Sequence, residues 1–211
     1  MLAVLLLAGL VGCAASSTAA APPSRLGYER LQQAYSVWQL LDRAREATGR
    51  LQTWREVDPE TGSSWEHAFP NRTRYRIVRP DGQVYEGYES DETECWRRED
   101  GRWDRRPIGL RPPVAAALAD DLFNGTIRVI DEGTTLLQGV TVQVVRLSQR
   151  AGDRRYSTLA RDREVRVWLG VEDALPRRVE IAVPSFQAPE GRSVRELSHF
   201  DEPLTFEIPC E

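Results

Sequence analysis

The chain contains no lysine: all 28 of its basic residues are arginine. This usage points to a GC-rich genome rather than to a function. Histidine is almost as scarce, with two, and cysteine occurs three times. Each shortage excludes something. His67 and His199 are far apart, with no metal-ligand spacing around either, and no G-x-S-x-G, H-E-x-x-H, phosphate-loop or C-x-x-C pattern occurs. We therefore expect no enzyme, no metal and no cofactor. The net charge of −4 gives no overall attraction for nucleic acid. The opening apolar run, Leu2 to Val11, is about ten residues, too short to span roughly 30 Å of hydrocarbon as a helix. No internal repeat is present.

That run ends in Leu10-Val11-Gly12-Cys13, a small residue directly before a cysteine. The arrangement resembles the bacterial lipobox, in which the cysteine thiol takes a diacylglycerol and the leader is cut away. On this reading residues 1–12 are a signal peptide and Cys13 is the lipidation site. Residues 13–27, small, polar and proline-bearing, are a flexible tether lifting residues 28–211 off a membrane. The alternative is an ordinary secretory leader in which Cys13 is incidental. Once Cys13 is committed to lipid, Cys95 and Cys210 remain as an even pair in a compartment that tolerates disulfides. Bonded, they would close a loop of about 116 residues, worth about 4–5 kcal/mol in the chain-entropy model. Two buried free thiols are the other possibility.

The spacing predicts a helix over Tyr28 to Ala47. Leu31, Ala34, Tyr35, Trp38 and Leu41 recur at three and four, and Thr48-Gly49 stops it. From Arg50 the texture is strand and turn. Leu51–Val57, Ser64–Phe69, Arg72–Arg79, Val84–Tyr88, Glu92–Arg98 and Arg102–Arg106 are separated by signals such as Pro80-Asp81-Gly82. In Arg72–Arg79, Thr73, Tyr75 and Ile77 alternate with three arginines, so one face is wet and the other is buried or faces a ligand. Pro112-Pro113 opens a short helix, Val114 to Phe123. Strands Thr126–Ile130, Thr134–Leu137, Val140–Ser148, Tyr156–Ala160, Glu164–Leu169, Arg177–Val183, Ser193–Phe200 and Leu204–Ile208 follow. Short connections make sequence neighbours pair antiparallel. The fold class is α+β: one large antiparallel sheet with two helices laid on a face.

The segment Glu164 to Glu180, EVRVWLGVEDALPRRVE, resembles the "V-x-V-W-[LI]-[DG]…LP-R-x-V" hairpin of the LolA-like lipoprotein carrier superfamily. That grouping holds periplasmic lipoprotein carriers and lipidated glycolipid carriers of the LppX and LprG type. The ending Leu197 to Pro209, LSHFDEPLTFEIP, is similar to the closing strand pattern of the same group, with Leu197 where the pattern has an aromatic. The resemblance covers about residues 28 to 209. It implies a sheet curved into an unclosed half-barrel, its concave face covered by the N-terminal and mid-chain helices, with acyl chains held between. Tyr35, Trp38, Leu41, Trp54, Trp65, Tyr75 and Trp168 are candidate cavity residues, although ordinary core packing accounts for any one of them equally well.

Other constellations read as bland. His67 and His199 are expected at strand surfaces, and Asp120-Asp121 and Asp131-Glu132 as solvated acids. The arginine pairs at 97–98, 105–106, 154–155 and 177–178 are surface charge unless they ring a cavity mouth, where they could meet anionic lipid headgroups. The sequons at Asn71 and Asn124 are chance matches beside a bacterial leader.

The expected protein is a monomeric lipoprotein of the bacterial cell envelope, facing periplasm or exterior. It would bind lipid acyl chains in an apolar cavity, for lipid, glycolipid or lipoprotein transport. Two alternatives remain: a sensor or regulatory lipoprotein binding an envelope protein partner, and a structural module with a filled core. The leader reading predicts that protein recovered from the envelope begins at Cys13 and carries the mass of a diacylglyceryl group. Cys13→Ser should accumulate uncut; intact-mass spectrometry showing an unmodified Cys13 would sink the lipobox.

Overall fold

The structure, a computed structural model, describes residues 25–109, 111–150, 163–182, 192–205 and 209. Helix α1 (Arg25–Gly49) leads into six strands: β1 (Thr53–Val57), β2 (Ser64–Ala68), β3 (Arg72–Val78), β4 (Val84–Glu89), β5 (Thr93–Arg97) and β6 (Trp103–Pro107). Helix α2 (Val114–Phe123) separates these from β7 (Thr126–Leu137), β8 (Val140–Gln149), β9 (Arg163–Gly170), β10 (Pro176–Ala182) and β11 (Arg192–Ser198). All eleven strands form one antiparallel sheet in the order β6-β5-β4-β3-β2-β1-β11-β10-β9-β8-β7. The two ends, β6 and β7, are not paired with each other, so the half-barrel stays open. The fold expected from the sequence is the one observed.

Turn chemistry sets the hairpins. Asp58 Oδ1 accepts from the backbone N–H of Glu60 (2.9 Å) and Thr61 (3.1 Å), an Asx turn that delivers β2 beside β1. Gln138 and Gly139, with φ of 50° and 81°, make a two-residue turn whose positive φ values match the twist of β7 and β8. Among the described residues the only pairing between strands distant in sequence is β1 with β11, where Glu56 opposes Leu197. Chain just beyond β11 clamps this seam. Asp201 Oδ1 accepts from Gln52 N at 2.7 Å, Asp201 N donates to Thr53 O at 2.8 Å, and the Thr53 hydroxyl donates to Glu202 O at 2.6 Å.

The helix-covered, concave face divides in two. On β8 to β11 it is apolar: Val145, Leu147, Val165, Val167, Leu169, Val179, Ile181 and Leu197 are buried against Val37, Leu41 and Ala44 of α1 and Ala115, Leu122 and Phe123 of α2. On β1 to β5 the same face carries Glu56, His67, Thr73, Tyr75, Glu89 and Glu94. Within the apolar half, buried Arg163 of β9 ties α2 to the sheet. Its Nε donates to Gln149 Oε1 at 2.8 Å and its Nη2 to Asp121 Oδ1 at 2.9 Å, while Gln149 Nε2 donates to Leu122 O at 2.6 Å.

Several expectations are corrected. Arg25 to Gly27, assigned to the tether, are the first turn of α1. The buried stripe of α1 is Val37, Leu41, Ala44 and Thr48, turned about a quarter of a turn from the predicted stripe, so Tyr35 and Trp38 are exposed (67% and 42%). The predicted stripe followed the largest side chains, whereas close approach to α2 favours small ones: a Cβ on Gly49 would lie 3.9 Å from the Ala119 Cβ. Thr126–Ile130 and Thr134–Leu137 are one strand, because Asp131 and Gly133 form a bulge, not a turn. Asp121 is bound to Arg163 and Glu132 bridges Arg146 (3.2 Å) and Arg166 (2.5 Å), so neither is a free solvated acid. Leu204 and Thr205 are not in a strand. Cys95 is buried and disulfide-bonded. Cys13, Cys210, the predicted strand Tyr156–Ala160 and Arg154–Arg155 lie outside the described residues.

Arg163→Met should cost about 2–4 kcal/mol, because Gln149 and the end of α2 lose a charged, buried donor. Urea unfolding would read the loss; a change below about 1 kcal/mol would show that α2 is held by its apolar face alone.

Candidate functional site

A groove of about 450 Å³ runs between α2 and the concave face of β1 to β5. Its α2 wall is Val114, Ala117 and Leu118, and the sheet contributes Trp65 and Ile77 to the apolar lining. The floor is polar, formed by Glu56, His67, Thr73, Tyr75, Glu89 and Glu94. The groove thus has apolar walls over a hydrogen-bonded floor. Two larger clefts, of about 770 and 730 Å³, lie among turn residues around Gln83–Glu86 with Trp96–Gly101 and around Gln52, Phe69 and Leu204.

Strand register assembles the floor. Trp54 opposes His67 and Glu56 opposes Trp65, so the W-x-E of β1 and the W-x-H of β2 share a face and bring Glu56 and His67 together on a diagonal. The Trp54 and His67 rings stack at 4.5 Å. Glu56 is buried, and its Oε1 accepts from Trp54 Nε1 at 3.0 Å and lies 3.4 Å from His67 Nε2. Its Oε2 accepts from Arg195 Nη1 at 3.2 Å. Burial by itself pushes the Glu56 carboxyl up; His67, Arg195 and the Trp54 N–H outweigh it and hold the group at about 2.

Next along the face, Tyr75 donates to Glu94 Oε1 at 3.1 Å, and Arg106 Nε donates to Glu94 Oε2 at 2.6 Å. Burial and the adjacent Glu94 and Glu89 push the Tyr75 phenol up, so it remains a donor at every working pH. Its ring lies over Gly87, directly opposite on β4, where a Cβ would come within 2.2 Å of the phenol. Glycine at 87 is what lets Tyr75 lie flat on the sheet. Glu89 pairs with Arg111 at 2.5 Å, and Asp121 with Arg163. Each of the four carboxylates at the groove thus has its own arginine.

His67 Nδ1 is 3.0 Å from the Thr73 hydroxyl, so Thr73, His67 and Glu56 have the atom order of a nucleophile, base and carboxylate. The arrangement does not support catalysis. The Thr73 hydroxyl is buried, and Thr73 is paired on both sides, with His67 and Glu89, so the surrounding N–H groups serve the sheet rather than an oxyanion. Among the described residues no group of three or more His, Cys, Asp or Glu side chains could hold a metal ion.

Of the predicted cavity residues, Trp65 and Tyr75 line the groove, and fully buried Trp54 borders it. Leu41 is in the filled core under α1. Tyr35 and Trp38 point away from it. Trp168 is on the opposite, convex face with Val142 and Val144, its ring between the guanidinium groups of Arg166 (5.0 Å) and Arg178 (5.3 Å). The alternation of Val165, Val167 and Leu169 with Arg166 and Trp168 already separated it from the core. His67 is corrected from surface residue to groove floor, and the W-x-E and W-x-H spacings in adjacent hairpin strands are the signal that identifies it. His199 is exposed, its Nδ1 2.8 Å from the Ser198 hydroxyl. The arginines read as possible headgroup contacts are largely committed elsewhere: Arg97 to Glu86, Arg98 to Asp104, Arg106 to Glu94, Arg177 to Asp173, and Arg178 to Glu180 and Glu196.

Sheet, helices and groove together define an unclosed half-barrel. No protein-family model and no curated protein matches the sequence. Among solved structures, the lipoprotein LppX of Mycobacterium tuberculosis is 14% identical with a TM-score of 0.55, over 80% of this chain and 98% of that one. LprF of Mycobacterium bovis is also 14% identical, with a TM-score of 0.58, over 81% of this chain and 95% of that one. The likeness is one of fold, extends over almost the whole of both neighbours, and agrees with the resemblance in the closing strands.

The Glu56 site sets a pH dependence. Its folded value of about 2 is below the ordinary 4.5, so its contribution is complete above about 4.5 and is lost as pH falls through about 2. The gap is worth roughly 3 kcal/mol. Urea midpoints of wild type and Glu56→Gln should differ at pH 6 and converge towards pH 2; a gap independent of pH would refute the buried pair.

Proposed function

We propose that this chain is a lipoprotein of the bacterial cell envelope, anchored through Cys13, whose groove shelters part of a lipid acyl chain during carriage or hand-over of a lipid or glycolipid. The observation that carries this reading is the groove itself, an open slot with an apolar α2 wall in a half-barrel shared with the lipoprotein LppX. A volume of about 450 Å³ lies low in the range for small-molecule sites, which suits one chain or part of one rather than a lipid swallowed whole. Each buried methylene contributes about 0.8 kcal/mol, so partial burial gives a hold that can be exchanged. The paired carboxylates of the floor favour a neutral headgroup over an anionic one. The disulfide of Cys95 with Cys210 is part of the same proposal.

The domain is not wholly hollow. Under α1 the described residues pack as an apolar core, and the groove lies in the other half.

Native mass spectrometry with lipid extraction, on full-length protein purified from the envelope, tests the reading. A lipid should co-purify and be lost in Ile77→Glu and Ala117→Trp, which charge or fill the groove at partly exposed positions. Their thermal midpoints should stay close to wild type. Protein that arrives empty and takes up no added fatty acid would make the groove vestigial and the domain a structural module.

A further inference from the structure

Helix α1 carries two apolar faces, and the fold uses one. Val37, Leu41 and Ala44 are buried under the helix, whereas Tyr35 and Trp38, one turn apart, stand in solvent on another side. Exposed aromatics at adjacent helical positions are an uncommon way to face water, since each ring forgoes substantial burial. Asp42 follows one turn on and is also exposed, so this face has no excess of positive charge. Arg45, further along, is paired with Asp120 at 3.3 Å.

We infer that this face of α1 is a membrane-docking surface, with the Tyr35 and Trp38 rings seated at the headgroup level of the bilayer that holds the lipid anchor. The inference rests on the proposed lipidation of Cys13. Chain length makes the contact geometrically available. Arg25, the first residue of α1, is twelve positions after Cys13, a reach of at most about 43 Å. Tyr35 lies ten residues into the helix, only about 15 Å along its axis from that point. Tyrosine and tryptophan are the side chains that partition to the interface, an apolar body with a polar tip. Two rings alone would bind a bilayer weakly. A protein already tethered needs no more, because the anchor turns binding into an intramolecular step at millimolar effective concentration. With Asp42 on the same face, the contact is driven by the rings rather than by charge, and so is insensitive to salt.

Docking in this way also fixes which way the domain faces. A free tether would let it tumble, whereas two rings one turn apart hold α1 against the surface.

The test uses the full chain, lipidated in the envelope and reconstituted in phosphatidylcholine vesicles with or without bromine on the acyl chains. Wild type minus Trp38→Phe isolates the Trp38 fluorescence from that of the other five tryptophans. Brominated lipid should quench that difference signal, equally at low and high salt. Hydrogen exchange of α1 should be slower on vesicles than in detergent, and Tyr35→Ser with Trp38→Ser should abolish the slowing, with no change in the strands. Quenching absent from the difference signal in protein whose mass shows the anchor would overturn docking and leave lipidation standing. An unmodified Cys13 would overturn both, since nothing would then bring this face to a bilayer. A Trp38-dependent dimer by sedimentation would assign the face to a second copy instead.

Discussion

The structure depends on the seam between β1 and β11. Every other pairing among the described strands joins neighbours in sequence, at a smaller loop-closure cost. The seam joins strands some 140 residues apart and makes two separate meanders into one curved surface. Only three residue pairs hold it directly, so the clamp from Asp201 and Glu202 onto Gln52 and Thr53 is a large share of its hydrogen bonding. That gives a physical reason for the closing motif, whose Asp201 and Glu202 hold the seam.

The seam is also the line at which the concave face changes character. Leu197 belongs to the filled core, and Glu56, opposite it, belongs to the groove floor. On one side, branched side chains fill the space beneath the helices. On the other, carboxylates that cannot be buried unpaired hold the face open, because each demands an arginine and the arginines reach in from the rim. Arginine suits this role better than lysine would, since its planar fork satisfies a carboxylate in fixed geometry while its stem covers apolar surface. The convex face uses the same device. Arg146 and Arg166 oppose each other across β8 and β9, a repulsive pair, and Glu132 from the β7 bulge accepts from Arg166 and is ion-paired with Arg146.

The strands were legible in the sequence because their turns are chemically explicit: Asp58 to Gly62, Asp81-Gly82 and Gln138-Gly139 each demand a reversal. The half-barrel was legible only through the resemblance, since alternation says which residues share a face and not how far the sheet curves. Two failures share one cause. Size was read as burial for Tyr35 and Trp38 on α1, and again for Trp168 on β9, although the parity of β9 put Trp168 opposite Val165 and Val167. His67 was missed for the converse reason: a polar residue in a strand was read as wet. Its partner Glu56 is met only once register sets β1 against β2, and register is not visible residue by residue.

At 14% identity, what this chain shares with LppX and LprF is a pattern of alternation and connection, and such a pattern constrains the wall of a half-barrel far more than its contents. The contents here are set by few positions. Gly87 admits the Tyr75 ring, which caps Glu94; Ala117, with no side chain beyond Cβ, leaves the space that α2 does not fill. A bulkier residue at 117 would narrow the groove, and a Cβ at 87 would displace the Tyr75 ring. The fold can therefore pass between hollow and filled by small steps, so ligand capacity has to be argued from such positions in each chain and not from the sheet they stand on.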